Sequence, residues 1–205
     1  TTINALLTGE TPHLIDEWQE IPKIWDAIRF EADHRNDVGQ FLLTGSSVPT
    51  TTQMRHSGTG RFARLTMRTM SLWESGESNG TVSMEELFLQ PQMIFSESTL
   101  QLEEIAFLIC RGGWPFAVGL DSKFALRQAY AYFDAVVEND IVRINNSLKN
   151  SSRARRIMRS LARHQGTQTP VTTICSDSKM NESEALAEET VSLYINALQK
   201  IFVIF

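Results

Sequence analysis

Cysteine is nearly absent from this sequence. Its 205 residues include only Cys110 and Cys175, which excludes a disulfide framework and a cysteine-rich zinc site. Histidine is scarce too, with four residues scattered at no metal-ligand spacing. No apolar run approaches the roughly 18–20 residues that a membrane-spanning helix needs. The residues after Thr1 lack the charged and apolar regions of a signal peptide. No Gly-Lys dipeptide occurs anywhere, so the phosphate-cradling loop GxxxxGK[ST] is missing. Excess positive charge is missing as well: 19 basic against 24 acidic side chains give −5. That balance argues against a wholly basic nucleic-acid binder and leaves room for a local patch. A cytoplasmic protein with no membrane partner is the default expectation.

What is there is ordinary globular material. With 42% hydrophobic and 21% charged residues, the chain can bury a core in one large domain or two small ones. Residues 1–48 read as α/β. Pro12–Asp16 is a short apolar strand, Ile24, Trp25, Ile28 and Ala32 share one helical face, and Gln40–Thr44 is a second apolar strand. Two such strands around an amphipathic helix predict a βαβ unit with a parallel sheet. Residues 49–82 are rich in Ser, Thr, Gly and Arg, with a β-prone stretch from Arg61 to Met70. From Glu85 to Ser147 the pattern is mainly helical, broken at Gly112-Gly-Trp-Pro115.

The strongest local chemical signal is His13-Leu-Ile-Asp16-Glu17. An apolar strand ending in two acids puts both carboxylates at the carboxyl edge of a parallel sheet, where ligands bind. In nucleotide hydrolases the first acid orients magnesium and the second polarises the attacking water. A plain helix N-cap explains the same residues. Phe41-Leu-Leu-Thr44-Gly45-Ser46 ends the neighbouring strand in a hydroxyl that could bond to the attacking water or terminal phosphate; a simple strand-ending turn is the alternative. Between Arg55 and Arg68 fall four arginines and no acid. Arginines near a phosphate offset transition-state charge, although a solvated or acid-paired face accounts for them equally. His56 beside Ser57 is no catalytic dyad, because adjacency supplies no geometry.

Taken in order, these segments resemble a known family. Thr8–Gln19, Gln40–Ser46, His56–Arg61, Met67–Leu72 and Glu74–Ser78 look like a prokaryotic AAA-type ATPase, of the archaeal and bacterial group whose AAA core precedes a C-terminal domain of unknown function. The resemblance implies ATP and Mg2+ as cofactors. It makes Asp16 the Walker B magnesium residue, Glu17 the water-activating residue and Thr44 the sensor-1 residue. It makes Arg61 the first choice for a finger or phosphate contact and Arg64 the next. Gly112–Pro115 is similar to the Gly-x-Pro element opening the helical lid of related signalling ATPases, which would lay Pro115 against adenine; a kinked helix start explains it too. The resemblance divides the chain into the C-terminal half of an AAA core (1–84), a helical lid (85–149) and a terminal module (150–205). It also implies a Walker A region upstream of Thr1 and a nuclease-like domain beyond Phe205. The absence of an initiator Met, and the apolar run Ile201–Phe205, agree with a piece of a longer ATPase, inactive alone.

The module 150–205 reads as a winged helix-turn-helix. A helix capped by Ser151-Ser152 runs to His164 and ends at Gly166. A short helix or turn at Val171–Ser176, a long helix at Asn181–Lys200 and a strand around Val203 follow. Arg156, Arg159 and Arg163 share a face of the first helix at i, i+3, i+7 spacing, a stripe suited to DNA phosphates. The acidic start of the long helix, Asn181–Glu189, suits DNA poorly, so docking of a protein partner or homo-oligomerisation is the alternative.

Overall fold

Both predicted strands form, and they form as a pair. In a computed structural model that describes residues 3–35, 37–46, 60–90, 95–145, 147–148, 150–179 and 186–204, the elements run β1 (His13–Ile15), α1 (Lys23–Arg35), β2 (Phe41–Leu43), α2 (Met84–Leu89), α3 (Leu102–Arg111), α4 (Ser122–Ala135), α5 (Ile141–Ile144), α6 (Ser151–Arg163), α7 (Val171–Ser178) and α8 (Glu188–Lys200). The chain divides into two compact units. One comprises Thr1–Arg64 with Val137–Phe205, the other Leu65–Val136.

In the first unit β1 and β2 are parallel, with His13 opposite Phe41 and Ile15 opposite Leu43. Side chains alternate across a strand, so Ile15, Phe41 and Leu43 turn toward α1 while Leu14 and Leu42 are exposed. The helix packs Ile24 and Ile28 on that face, with Leu7 completing the core. Trp25 stacks on Phe62, ring centroids 3.8 Å apart, and leans on Trp18 at 5.0 Å. Arg35 closes the far end: it donates to the Leu7 carbonyl at 2.7 Å, pairs with Glu31 at 3.2 Å and lies over the Phe41 ring. Its charge near the C-terminus of α1 also complements the helix dipole.

The C-terminal helices of this unit bury Ala154, Ile157, Ile174, Val191, Tyr194 and Leu198. Asn150, not Ser151 or Ser152, caps α6, accepting from the Arg153 amide at 3.0 Å. The Tyr194 hydroxyl donates to the Asn150 carbonyl at 3.0 Å and fastens α8 to the start of α6. The helix order agrees with the sequence reading, but two details do not. Described helix α8 begins at Glu188, because Leu186 is buried ahead of it in non-helical backbone. The expected strand around Val203 is absent: residues 201–203 are turn, with Phe202 at φ 57° and the Val203 amide folded back onto the Leu198 carbonyl. The wing of the expected winged helix is therefore not formed among the described residues. Residues 47–59, with His56 and the start of the arginine stretch, and 180–185, with the acidic run from Asn181, lie outside them.

The second unit rests on an ion pair that the sequence did not announce. Arg111, 4% exposed, pairs with Glu77 at 2.5 Å and donates to the Gly112 carbonyl at 3.0 Å. That guanidinium holds the Glu77 carboxyl below its usual range. The Met70 amide donates to the Gly113 carbonyl at 2.7 Å, so the segment 70–78 is clamped to the end of α3. The stretch from Arg61 to Met70, expected to be β-prone, forms no strand among the described residues. Helix α3 opens with a capping box between Gln101 and Glu104, and Trp114 packs on Tyr132 of α4 at 4.0 Å. Helix α4 is followed directly by a π turn at Val136–Asp140 and then by α5.

Gly113 is held by close approach. A Cβ there would lie 2.2 Å from the Met70 carbonyl oxygen and 2.9 Å from its nitrogen. Backbone cannot step aside as a side-chain end can, so Gly113→Ala is expected to destabilise this unit by about 1–3 kcal/mol. Urea unfolding monitored with hydrogen exchange at the Met70 amide checks it; wild-type protection would contradict the clamp.

Candidate functional site at the carboxyl edge of the sheet

Extending the strand register by one residue sets Asp16 beside Thr44. The backbone stays coupled there: the Thr44 amide donates to the Ile15 carbonyl at 3.0 Å and the Trp18 amide to the Thr44 carbonyl at 3.2 Å. The side chains meet as well, since Thr44 Oγ1 donates to Asp16 Oδ1. That same oxygen accepts from the Glu17 amide at 3.1 Å. Among the described residues, Asp16 Oδ2 takes no bond. One oxygen of the exposed carboxylate is thus tied to the protein by two bonds.

Glu17 sits in left-handed backbone, φ 50° and ψ 43°. Side chains other than glycine seldom adopt this conformation, which costs on the order of 1 kcal/mol. Such strain points to a constraint beyond folding. The carboxylate is anchored through Oε2, which accepts from Gln19 Nε2 and, at 3.2 Å, from Ser46 Oγ. Asp16, Glu17, Thr44 and Ser46 are all exposed.

Arg61 and Arg64 part company. Arg61 pairs at 2.5 Å with Asp33, in the last turn of α1, where that pairing holds the Asp33 carboxyl below its ordinary value. Strand β1 ends at the Asp16 edge and α1 runs back from it, so this pair lies at the end of the unit remote from Asp16. Arg64 instead lies over Trp25 in the first turn of α1, 5.9 Å from the ring centroid. Trp25 touches Trp18, which bonds to Thr44; of the two arginines, Arg64 is on the side of the edge. Pro115 opens a short 3-10 turn in its own unit.

The basic stripe of α6 is mostly engaged internally. Arg156 donates to the Ser178 carbonyl through Nε at 2.8 Å and Nη2 at 2.5 Å. Arg163 grips Asp177 at 3.0 and 2.7 Å. Both contacts pin α6 to the end of α7, where cations complement the helix dipole. Arg159 is exposed.

Gln19 and Ser46 have no role assigned from the sequence. Their signal was positional: each lies just past the end of a strand, within segments already singled out for Asp16 and Thr44.

Residues 1–75 match the family model described as an AAA domain, which supports an AAA-type P-loop ATPase-like character for that part. Residues 102–205, just over half of the chain, match the model of a domain of unknown function (DUF8612), and the chain belongs to that family. No curated protein and no solved structure matches the chain. Among the described residues no helix is long and apolar enough to cross a membrane.

Two outcomes follow from the geometry. Glycine tolerates left-handed backbone, so Glu17→Gly is expected to stabilise the fold by about 0.5–1 kcal/mol, read as a raised melting midpoint; a lower midpoint would show that Glu17 holds the fold. The Ser160 hydroxyl, then Arg163, depress the Asp177 pKa below its usual 3.8. A depressed acid contributes stability that is present above its unfolded pKa and lost as pH falls through its folded one. Asp177→Asn should therefore flatten, without abolishing, the loss of melting temperature below about pH 4; an unchanged acid limb would contradict this.

Proposed function

We propose that the edge formed by Asp16, Glu17 and Thr44 is the water-activating half of an AAA-type site that hydrolyses ATP with Mg2+. The observation that carries the reading is the bond from Thr44 Oγ1 to Asp16 Oδ1 across the two parallel strands. It ties together the two residues whose joint position the chemistry requires.

The donors suit the cation. Mg2+ is ordinarily held by one or two carboxylates together with waters and substrate phosphates. Among the described residues no group of three or more His, Cys, Asp or Glu side chains could hold a metal ion, and the Asp16 carboxylate is the candidate ligand beside water and phosphate. When bound, Mg2+ offsets the charge of the phosphates. Glu17 acts on water: Oε1 accepts a proton as the water oxygen bonds to the terminal phosphorus. The bridging oxygen departs with its electron pair as ADP, and the proton passes to solvent. Thr44 fixes Asp16 and stands beside the attacking water. Arg64, freed of acid partners among the described residues and near the edge through Trp25, is the better candidate than Arg61 for contact with the terminal phosphate. The Walker A lysine would have to come from outside residues 1–205, since these contain no Gly-Lys dipeptide. With Arg156 and Arg163 engaged within the helices, the nucleic-acid reading has no observation in its favour.

The test is hydrolysis by the chain preceded by a Walker A strand, loop and helix. Glu17→Gln is expected to lower turnover by at least about 100-fold while nucleotide binding persists. Asp16→Asn should weaken the Mg2+ dependence. Turnover unchanged in Glu17→Gln would sink the reading.

A further inference from the structure

The left-handed turn at Glu17 is accompanied by a small network that the ATPase reading does not use. Gln19 Nε2 donates to Glu17 Oε2 and also approaches Ser46 Oγ at 3.4 Å, while Ser46 Oγ donates to the same Glu17 oxygen at 3.2 Å. Two donors from two different strand ends thus converge on one carboxylate oxygen. Among the described residues the other oxygen, Oε1, takes no bond.

The orientation of Gln19 is fixed by what lies behind it. Its Oε1 is buried and has no hydrogen-bond partner among the described residues. A flipped carboxamide would press that oxygen against the Glu17 carboxylate, so the charge of Glu17 selects the orientation observed. Gly45 makes room for it: a Cβ there would lie 2.2 Å from Gln19 Oε1 and 3.3 Å from Trp18 Cδ1. The oxygen end of the carboxamide therefore points at the space that a Cβ of residue 45 would fill.

We propose that Gln19 and Ser46, seated by Gly45, are positioning residues that hold the Glu17 carboxylate by one oxygen and present the other to the attacking water. The inference rests on the ATPase reading and names the device that aims its base. Anchoring one oxygen removes the rotational freedom of a long exposed side chain. General-base catalysis depends on such orientation, because a misplaced base loses rate without losing substrate. Gly45→Ala acts mainly on the device, since the added methyl would lie 2.2 Å from the movable end of Gln19, against 3.3 Å from the Trp18 ring, with no backbone among its three nearest atoms.

Two measurements keep the contact and the reaction apart. In the 205-residue chain, the Gln19 side-chain amide protons are read by NMR. They are expected to shift and to exchange faster with solvent in both Glu17→Ala and Gly45→Ala; amide signals indifferent to both variants would overturn the proposal. In the chain preceded by a Walker A segment, Gln19→Met and Gly45→Ala should each lower kcat about tenfold with KM for MgATP unchanged. Ser46→Ala should act likewise, with Ser46→Thr restoring turnover to within about twofold. Wild-type kcat in Gln19→Met and Gly45→Ala, with the amide contact intact in the parent, would overturn the positioning role. Absence of any hydrolysis in the unsubstituted chain would instead overturn the ATPase reading, and the positioning role with it, leaving only the contact that NMR reports.

Discussion

Parallel pairing of His13–Ile15 with Phe41–Leu43 is the constraint on which the candidate site depends. Both strands must end together and in this register for Asp16 to stand beside Thr44. Side chains alternate with a period of two, so a slip of one residue would send the Thr44 hydroxyl to the opposite face. The register is held from below by apolar contact: Ile15, Phe41 and Leu43 turn toward Ile24 and Ile28. It is held at the edge by the Thr44 hydroxyl on Asp16 and the Trp18 amide on the Thr44 carbonyl. Core packing and edge chemistry thus specify one arrangement, which is the consistency expected of a sequence with one fold.

Charge is spent differently in different parts of the chain. At the sheet edge, the exposed Asp16 and Glu17 each have one oxygen tied by local donors. Elsewhere the charges are consumed by structure. Arg111 and Glu77 clamp a loop to the end of α3, and Arg156 and Arg163 lock α6 to α7. A buried pair such as Arg111–Glu77 is weak evidence for net stability but is costly to break on one side. Both arginine-rich segments supply ion pairs within the fold, Arg61 with Asp33 and Arg163 with Asp177.

The legible parts of this protein were those written in short-range pattern. The β1–α1–β2 unit followed from apolar spacing, and the Asp16–Thr44 pairing from strand ends of matching type. Helices α3, α4, α6 and α7 followed from periodicity and punctuation. The illegible parts were long-range. Nothing near Arg111 in the sequence signals Glu77, which lies 34 residues away. The spacing of Arg156 and Arg163 described a common face correctly but could not say that α7 covers it. A terminal apolar run suggested a strand at Val203, whereas the end of α8 closes on itself through the Val203 amide and Leu198 carbonyl. Gln19 was hidden for a different reason: its place depends on the missing side chain of Gly45, a contact that no pattern of residue types encodes.

The central claim is that two parallel strand ends form the cation and water side of a nucleotide site. Paramagnetic broadening by Mn2+ with ATP, Mn2+ standing in for Mg2+, tests it most directly in the amide spectrum of the chain preceded by a Walker A strand, loop and helix. The account predicts broadening centred on Asp16, Glu17 and Thr44, reduced in Asp16→Asn. Broadening that is uniform over the surface, or centred on another acidic segment and indifferent to Asp16→Asn, would contradict it.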